Sequence, residues 1–220
     1  MKTKINGTIV SNDDKWIYDW CEMEAFCPRD LELIDGQDVD IEINSPGGYI
    51  YPASEIYTAL MQHKGNVNIT ITGRAASAAS VISMAGTKVV MSPTAQMMIH
   101  NVSASGSGDY RDFEHYAEQL KKSNDTIANA YMLKTGKTRE EILNLMDYET
   151  WLTPEEALEN GFIDEILSKS DSADEFRLVA ASDFLIPQAV IDKLKQEKEQ
   201  EELNLLKLKE KKIRWTKKNT

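Results

Sequence analysis

Between residues 39 and 99 the spacing of apolar residues switches repeatedly between alternation and helical steps, and glycine or proline marks most of the changes. Val39 to Ile43 alternates apolar with acidic residues, as a strand buried on one face does, and Ser45-Pro46-Gly47-Gly48 then predicts a tight turn that ends it. From Ala53 to His63, Ile56, Ala59 and Leu60 recur at helical spacing, and Lys64-Gly65 supplies a stop. Val67 to Thr72 is a β-branched strand, followed by Gly73-Arg74-Ala75-Ala76 and a small-residue apolar helix through Ala85. Val89 to Met91 and Met97 to Ile99 complete the series as strands. Strand, helix and strand in alternation specify an α/β fold.

The flanks extend this pattern. Ile5 to Val10 reads as a short strand, and Lys15 to Leu33 carries Trp16, Trp20, Leu31 and Leu33 at spacings that permit helix on either side of Pro28. Asp109 to Lys134 contains no breaker and keeps Phe113, Tyr116, Leu120, Ile127 and Tyr131 at steps of three and four, which predicts a long helix stopping at Gly136. A further helix is expected after the Thr138 cap, and another at Thr153-Pro154-Glu155-Glu156, closed by Gly161. After Leu167 the composition changes. The expected organisation is one domain over residues 1–168, a small, charged linker over 169–187 and a Lys/Glu-rich helical tail over 188–220 bearing Leu194, Leu203, Leu205, Leu206 and Leu208.

Bulk properties narrow the function. With 220 residues, 41% of them hydrophobic, the chain can bury a sizeable core, and its formal charge of -11 argues against nucleic acid or an anionic membrane as partner. Peptides remain open as substrates. Cys21 and Cys27 have no neighbouring histidine and read as reduced thiols rather than a disulfide framework or zinc site. The first ten residues lack the apolar core of a signal peptide, and no run of about 18 apolar residues occurs, so a soluble cytoplasmic protein is expected.

Several residues can carry chemistry. Ser77 directly follows a strand at the start of a helix, where free N–H groups favour a developing negative charge; a helix-capping serine would occupy the same place. Gly47 and Gly48 allow backbone amides to approach a ligand, or form an ordinary turn. His100 ends a strand beside Asn101, whereas His63 and His115 fall on polar helix faces and read as solvated. Asp147 and Glu149, just before Trp151, are acids able to orient an imidazole. Met97, Met98 and Trp151 read as core.

Taken together, Ile43-Asn44-Ser45-Pro46-Gly47-Gly48, Gly73-Arg74-Ala75-Ala76-Ser77, Met98-Ile99-His100 and Thr153-Pro154-Glu155-Glu156-Ala157 with Gly161 and Asp164 resemble the Clp protease proteolytic subunit family. The likeness runs over roughly residues 5–167 and is closer to the phage and prophage branch. It implies a crotonase-like spiral of ββα units with a long handle helix, assembled into a homo-oligomeric ring. It also implies that Ser77 is the nucleophile, His100 its base, and the Gly48 and Ala78 amides the oxyanion hole. Glu149 falls where housekeeping members carry an aspartate, with Asp147 in reserve. Two departures stand out: Ser77-Ala78-Ala79 replaces the usual Ser-Met-Gly, and the histidine follows the serine slightly sooner. Ser80 and Ser83 lie further along the same helix and are not expected to act.

The reaction expected is peptide-bond hydrolysis through an acyl-enzyme, needing no metal or organic cofactor because nucleophile, base and donors all come from the protein. The phage likeness implies trimming of capsid or scaffold proteins in head assembly. Housekeeping turnover with an unfoldase partner is the alternative within the same chemistry. A non-catalytic ring-forming subunit is the rival from another class, because one fold hosts many functions.

Overall fold

The computed structural model describes residues 2–168; the linker and the charged tail expected over 169–220 lie outside the described residues. The elements run β1 (Lys2–Ile9), α1 (Lys15–Trp20), β2 (Ala25–Phe26), β3 (Val39–Gly48), α2 (Ile50–Gln62), β4 (Val67–Ala76) and α3 (Ala78–Ser83). Then follow β5 (Lys88–Met91), β6 (Gln96–Ile99), α4 (Tyr110–Thr135), α5 (Arg139–Asp147), β7 (Thr150–Leu152), α6 (Pro154–Glu159) and β8 (Glu165–Ile166).

Along the path β2-β1-β3-β4-β5-β8 every neighbouring pair is parallel. Parallel neighbours need crossovers, and α2 and α3 supply those between β3 and β4 and between β4 and β5. The α/β reading therefore holds. Alternation along β3 buries Val39, Ile41 and Ile43 and leaves Asp40 exposed, and Val67, Ile69 and Ile71 do the same in β4. Ala53, Ile56 and Leu60 of α2 and every residue of α3 are buried in the same core. Each large aliphatic side chain so buried contributes about 1.5–3 kcal/mol.

Strand β4 has different neighbours along its length. Asn68 to Ile71 pair with β5, whereas Arg74 to Ala76 pair in parallel with Gln96 to Met98 of β6. The change falls at Thr72-Gly73, where the β3–β4 register also shifts, from Ile43 opposite Ile71 to Ser45 opposite Ala75. The strand expected to end at Thr72 thus continues, bulged, to Ala76. Ser45-Pro46-Gly47-Gly48 differs from expectation in the same way. It is no terminal turn but a bulged continuation of β3, with Gly47 and Gly48 opposite Thr8 and Ile9 of β1. Proline is tolerated there because the ladder is interrupted between Asn6 and Thr8.

Capping residues fix the helices, at Gly136, Thr138 and Thr153 as expected and at Asp109 in addition. Asp109 accepts from the Arg111 and Asp112 amides and Gly136 closes α4 in the left-handed region, while Thr138 and Thr153 form capping boxes with Glu141 and Glu156. Helix α4, 26 residues long, buries only Ile127, Ala128, Ala130 and Tyr131, so its first half is exposed. Among residues 15–33 only Lys15–Trp20 is α-helical; Phe26 enters a short strand and Pro28–Asp30 forms a 3-10 turn. His63 ends α2, half-buried, with Nε2 2.7 Å from the Gln37 carbonyl, whereas His115 is exposed on α4. Met97 and Met98 are core residues, but Trp151 is 45% exposed. Among the described residues strand β7 pairs only with β6, antiparallel, and its alternation turns Leu152 inward and Trp151 outward.

Ile71, fully buried at the last rung before β4 changes neighbour, tests this core. Ile71→Ala is expected to lower unfolding stability by about 2–5 kcal/mol, read from the urea midpoint. A loss below about 1 kcal/mol would mean that the strand is not packed as described.

Candidate active site

Three neighbouring strands, β3, β4 and β6, end at one edge of the sheet, and Gly48, Ser77 and His100 follow from that. Ser77 succeeds Ala76, which stands opposite Met98, and His100 lies two residues past Met98. The carboxyl ends of parallel strands are where open α/β sheets gather ligands.

Ser77 links β4 to α3 with φ 55° and ψ −124°. A side chain in that conformation costs on the order of 1–3 kcal/mol and persists only when its surroundings over-determine it. They do. Its N–H donates to the Met98 carbonyl at 2.9 Å; its carbonyl accepts from Ser80 N–H at 2.9 Å, Val81 N–H at 3.3 Å and Ser80 Oγ at 2.6 Å. The side chain makes no capping bond to the helix it precedes. Instead Ser77 Oγ lies 2.7 Å from His100 Nε2. With the imidazole proton on Nδ1, the hydroxyl donates to Nε2, the arrangement needed to remove that proton.

The glycines have separate reasons. At Gly47, φ 95°, a Cβ would lie 2.6 Å from the Ala76 carbonyl oxygen and 2.7 Å from Ser77 Cβ, so any larger residue would push the serine turn away. At Gly48, φ 151°, a Cβ would meet the Ile9 carbonyl oxygen at 2.1 Å. The bulge is tied by Ser45, whose buried Oγ donates to the Gly7 carbonyl at 2.6 Å and accepts from Gly47 N–H at 3.1 Å. Ala78 begins α3, so its N–H has no intrahelical acceptor.

Gly48, Ser77, Ala78 and His100 line one groove of about 600 Å³, whose other walls include Val81, Leu120 and Ile127. A largely apolar trough with one Ser–His pair at its wall can receive an extended chain. The acids stand apart from it. Asp147 accepts from Asn101 Nδ2 at 2.7 Å. Glu149, exposed and at φ 47°, accepts from the Trp151 indole N–H at 3.4 Å rather than touching His100. The β6–β7 ladder ends at Ile99 opposite Thr150, and its next rung would set His100 opposite Glu149; the positive φ at Glu149 stops it one residue short.

Sequence reasoning singled out Ser77, His100, Gly48 and Ala78, which the fold brings together. It passed over Ser45, although a serine continuing the buried series of Val39, Ile41 and Ile43 marks a polar group with a job. It also dismissed Ser80, which bonds the Ser77 carbonyl and, at 2.8 Å, the hydroxyl of fully buried Tyr131.

Ser45→Ala leaves Gly47 N–H and the Gly7 carbonyl without their shared partner. Stability is expected to fall by about 1–3 kcal/mol in chemical denaturation, and an unchanged midpoint would show that the hydroxyl does not hold the bulge.

Comparison with known proteins places this geometry in context. Residues 31–170 match the Clp protease family model. The ATP-dependent Clp protease proteolytic subunit of Deinococcus radiodurans is 34% identical over 146 residues, 64% of this chain and 72% of that protein. The subunit of the same name from Bacteroides fragilis is 34% identical over 142 residues, 63% of this chain and 69% of its own length. The ATP-dependent Clp protease proteolytic subunit 1 of Chlamydia abortus is 33% identical over 142 residues, 62% of this chain and 74% of its own length.

Proposed function

The chain belongs to the Clp protease family, and from that premise we propose that it is a serine endopeptidase in which Ser77 is the nucleophile and His100 the general base. The observation that carries this reading is the 2.7 Å contact of Ser77 Oγ with His100 Nε2 in a groove also lined by Gly48 and Ala78. His100 Nε2 takes the Ser77 proton as Oγ attacks the peptide carbonyl carbon. Gly48 and Ala78 N–H groups hold the oxyanion. His100 returns the proton to the leaving amine, giving an ester on Ser77. Water, deprotonated by His100, then attacks the ester, and Ser77 leaves with its proton restored while the acid product departs. Glu149 is the acid that orients the imidazole, supported by its place two residues before Trp151 and by the β6–β7 register.

In this reading the peptidase unit ends at residue 168 and the chain assembles as a homo-oligomeric ring, supported by the exposed first half of α4. Its setting is the cytoplasm of a host cell. Its role is cleavage of capsid or scaffold proteins during phage or prophage head assembly, supported by Glu149-Thr150-Trp151 and by the charged, leucine-bearing run after residue 187. A second reading, subunit of a housekeeping protease fed by an unfoldase, is favoured by the names of its relatives, which are ATP-dependent. Cleavage of scaffold polypeptide at a few positions without ATP supports the first. Degradation of a folded substrate only with an ATP-driven unfoldase supports the second.

Treatment with a fluorophosphonate, followed by mass spectrometry, is expected to modify Ser77 in the parent and nothing in Ser77→Ala, which also loses peptidase activity by at least about 10³-fold. An assembled parent that does not react would turn the reading to a non-catalytic ring subunit. Glu149→Gln is expected to lower kcat by about 10²–10⁴-fold, and Asp147→Asn by less than about threefold. The reverse order in peptide-cleavage assays would transfer the acid's role to Asp147.

A further inference from the structure

From the Ser77 carbonyl a chain of hydrogen bonds runs into the core. A carbonyl oxygen only accepts, so the single proton of Ser80 Oγ goes to the Ser77 carbonyl at 2.6 Å. The 2.8 Å contact between Ser80 Oγ and Tyr131 Oη must then carry the phenol proton toward Ser80. Both side chains are buried, Ser80 at 0% and Tyr131 at 1% exposure. The Tyr131 ring is fixed edge-on against Phe162, with centroids 5.9 Å apart. Burial pushes the phenol well above its ordinary pKa, so the proton that the chain needs stays in place.

We propose that Tyr131 and Ser80 are positioning residues for the nucleophile, a buried relay from α4 that holds the Ser77 carbonyl and so keeps its backbone in the conformation that aims Oγ at His100. The inference rests on the hydrolase reading of Ser77. A serine at φ 55° returns to ordinary backbone angles unless its two peptide groups are restrained. The Met98 carbonyl restrains the first, and the second has two helical amides and the Ser80 hydroxyl, whose bond is the shortest of the three. Tyr131 polarises that hydroxyl and strengthens its donation. Ser80 does not line the groove, and Tyr131, which does, is only 1% exposed, so their loss should appear in turnover more than in binding.

The full-length protein, Tyr131→Phe, Ser80→Ala and the double variant are compared for kcat and KM on a fluorogenic peptide, for the rate of fluorophosphonate reaction at Ser77, and for melting temperature. Tyr131→Phe is expected to lower kcat and the labelling rate together by about 5–20-fold with KM within about twofold. Ser80→Ala should lower them further, and the double variant should match Ser80→Ala, because Tyr131 acts only through Ser80. A purely structural role would lower the melting temperature and leave kcat within about twofold in both single variants, and that result overturns the relay. Tyr131→Phe removes one oxygen and keeps the ring that packs on Phe162, so it decides the matter even where Ser80→Ala fails to fold. A parent that does not label at Ser77 overturns the hydrolase reading and the relay with it. A labelling parent whose variants keep its rate overturns the relay alone.

Discussion

Strand β4 cannot satisfy β5 and β6 with one straight run, and the site depends on how it resolves this. Its first half pairs with β5, its last three residues with β6, and the bulge at Thr72-Gly73 separates them. Without that change of partner, β6 would have no place beside Ala76, and His100 would have no reason to lie next to Ser77. The bulge in β3 is the counterpart on the other side: it carries Gly47 and Gly48 under the serine turn while preserving pairing with β1. Bulges so placed re-aim residues at the end of a strand, at the cost of local ladder bonds.

At the β3 bulge the Ser45 hydroxyl takes over backbone groups that the interrupted ladder leaves. Ser45, Ser80 and Ser83 are the buried polar residues among those described, and each bonds a backbone carbonyl. Serine suits this work because it supplies a donor and acceptor in little more than the volume of alanine. The result is a Ser77 turn held from three directions: from β6 through its N–H, from α3 through its carbonyl, and from β3 by the contact of Gly47. Strain of that kind is tolerable when rigid neighbours share it.

Local chemistry was readable from sequence wherever one residue type has one physical reason to be there. Asp109, Thr138, Thr153 and Gly136 mark helix ends through their own side chains or backbone freedom, and the ends fall where they were expected. Alternation in β3 likewise declared its buried face. What was not readable depends on a neighbour distant in sequence. Whether Ser45-Pro46-Gly47-Gly48 turns or continues is decided by β1, some 40 residues earlier in the chain, which offers Thr8 and Ile9 as partners. Trp151 looks like core by composition, yet an edge strand of three residues has only one buried face and Leu152 takes it. Ser80 looked redundant because Tyr131, the residue that gives it purpose, lies 51 residues away.

Of the proposed catalytic groups, the acid is the one that packing does not fix to His100, and solvation explains why. Ser77, Gly48 and Ala78 are held by backbone geometry, and His100 by the end of a buried strand. Glu149 is an exposed carboxylate whose contact is a long bond from the Trp151 indole, and an ion already in water gains little by leaving it for a surface contact. In the proposed reaction the balance changes, because the His100 imidazole gains a charge as Ser77 attacks a substrate. A cation one rung across the β6–β7 ladder attracts the carboxylate, and a peptide lying in the groove excludes the water that would screen it. On the proposed reading, a left-handed glutamate just before a short strand is an adequate support for the acid, because its partner would gain charge only during the reaction.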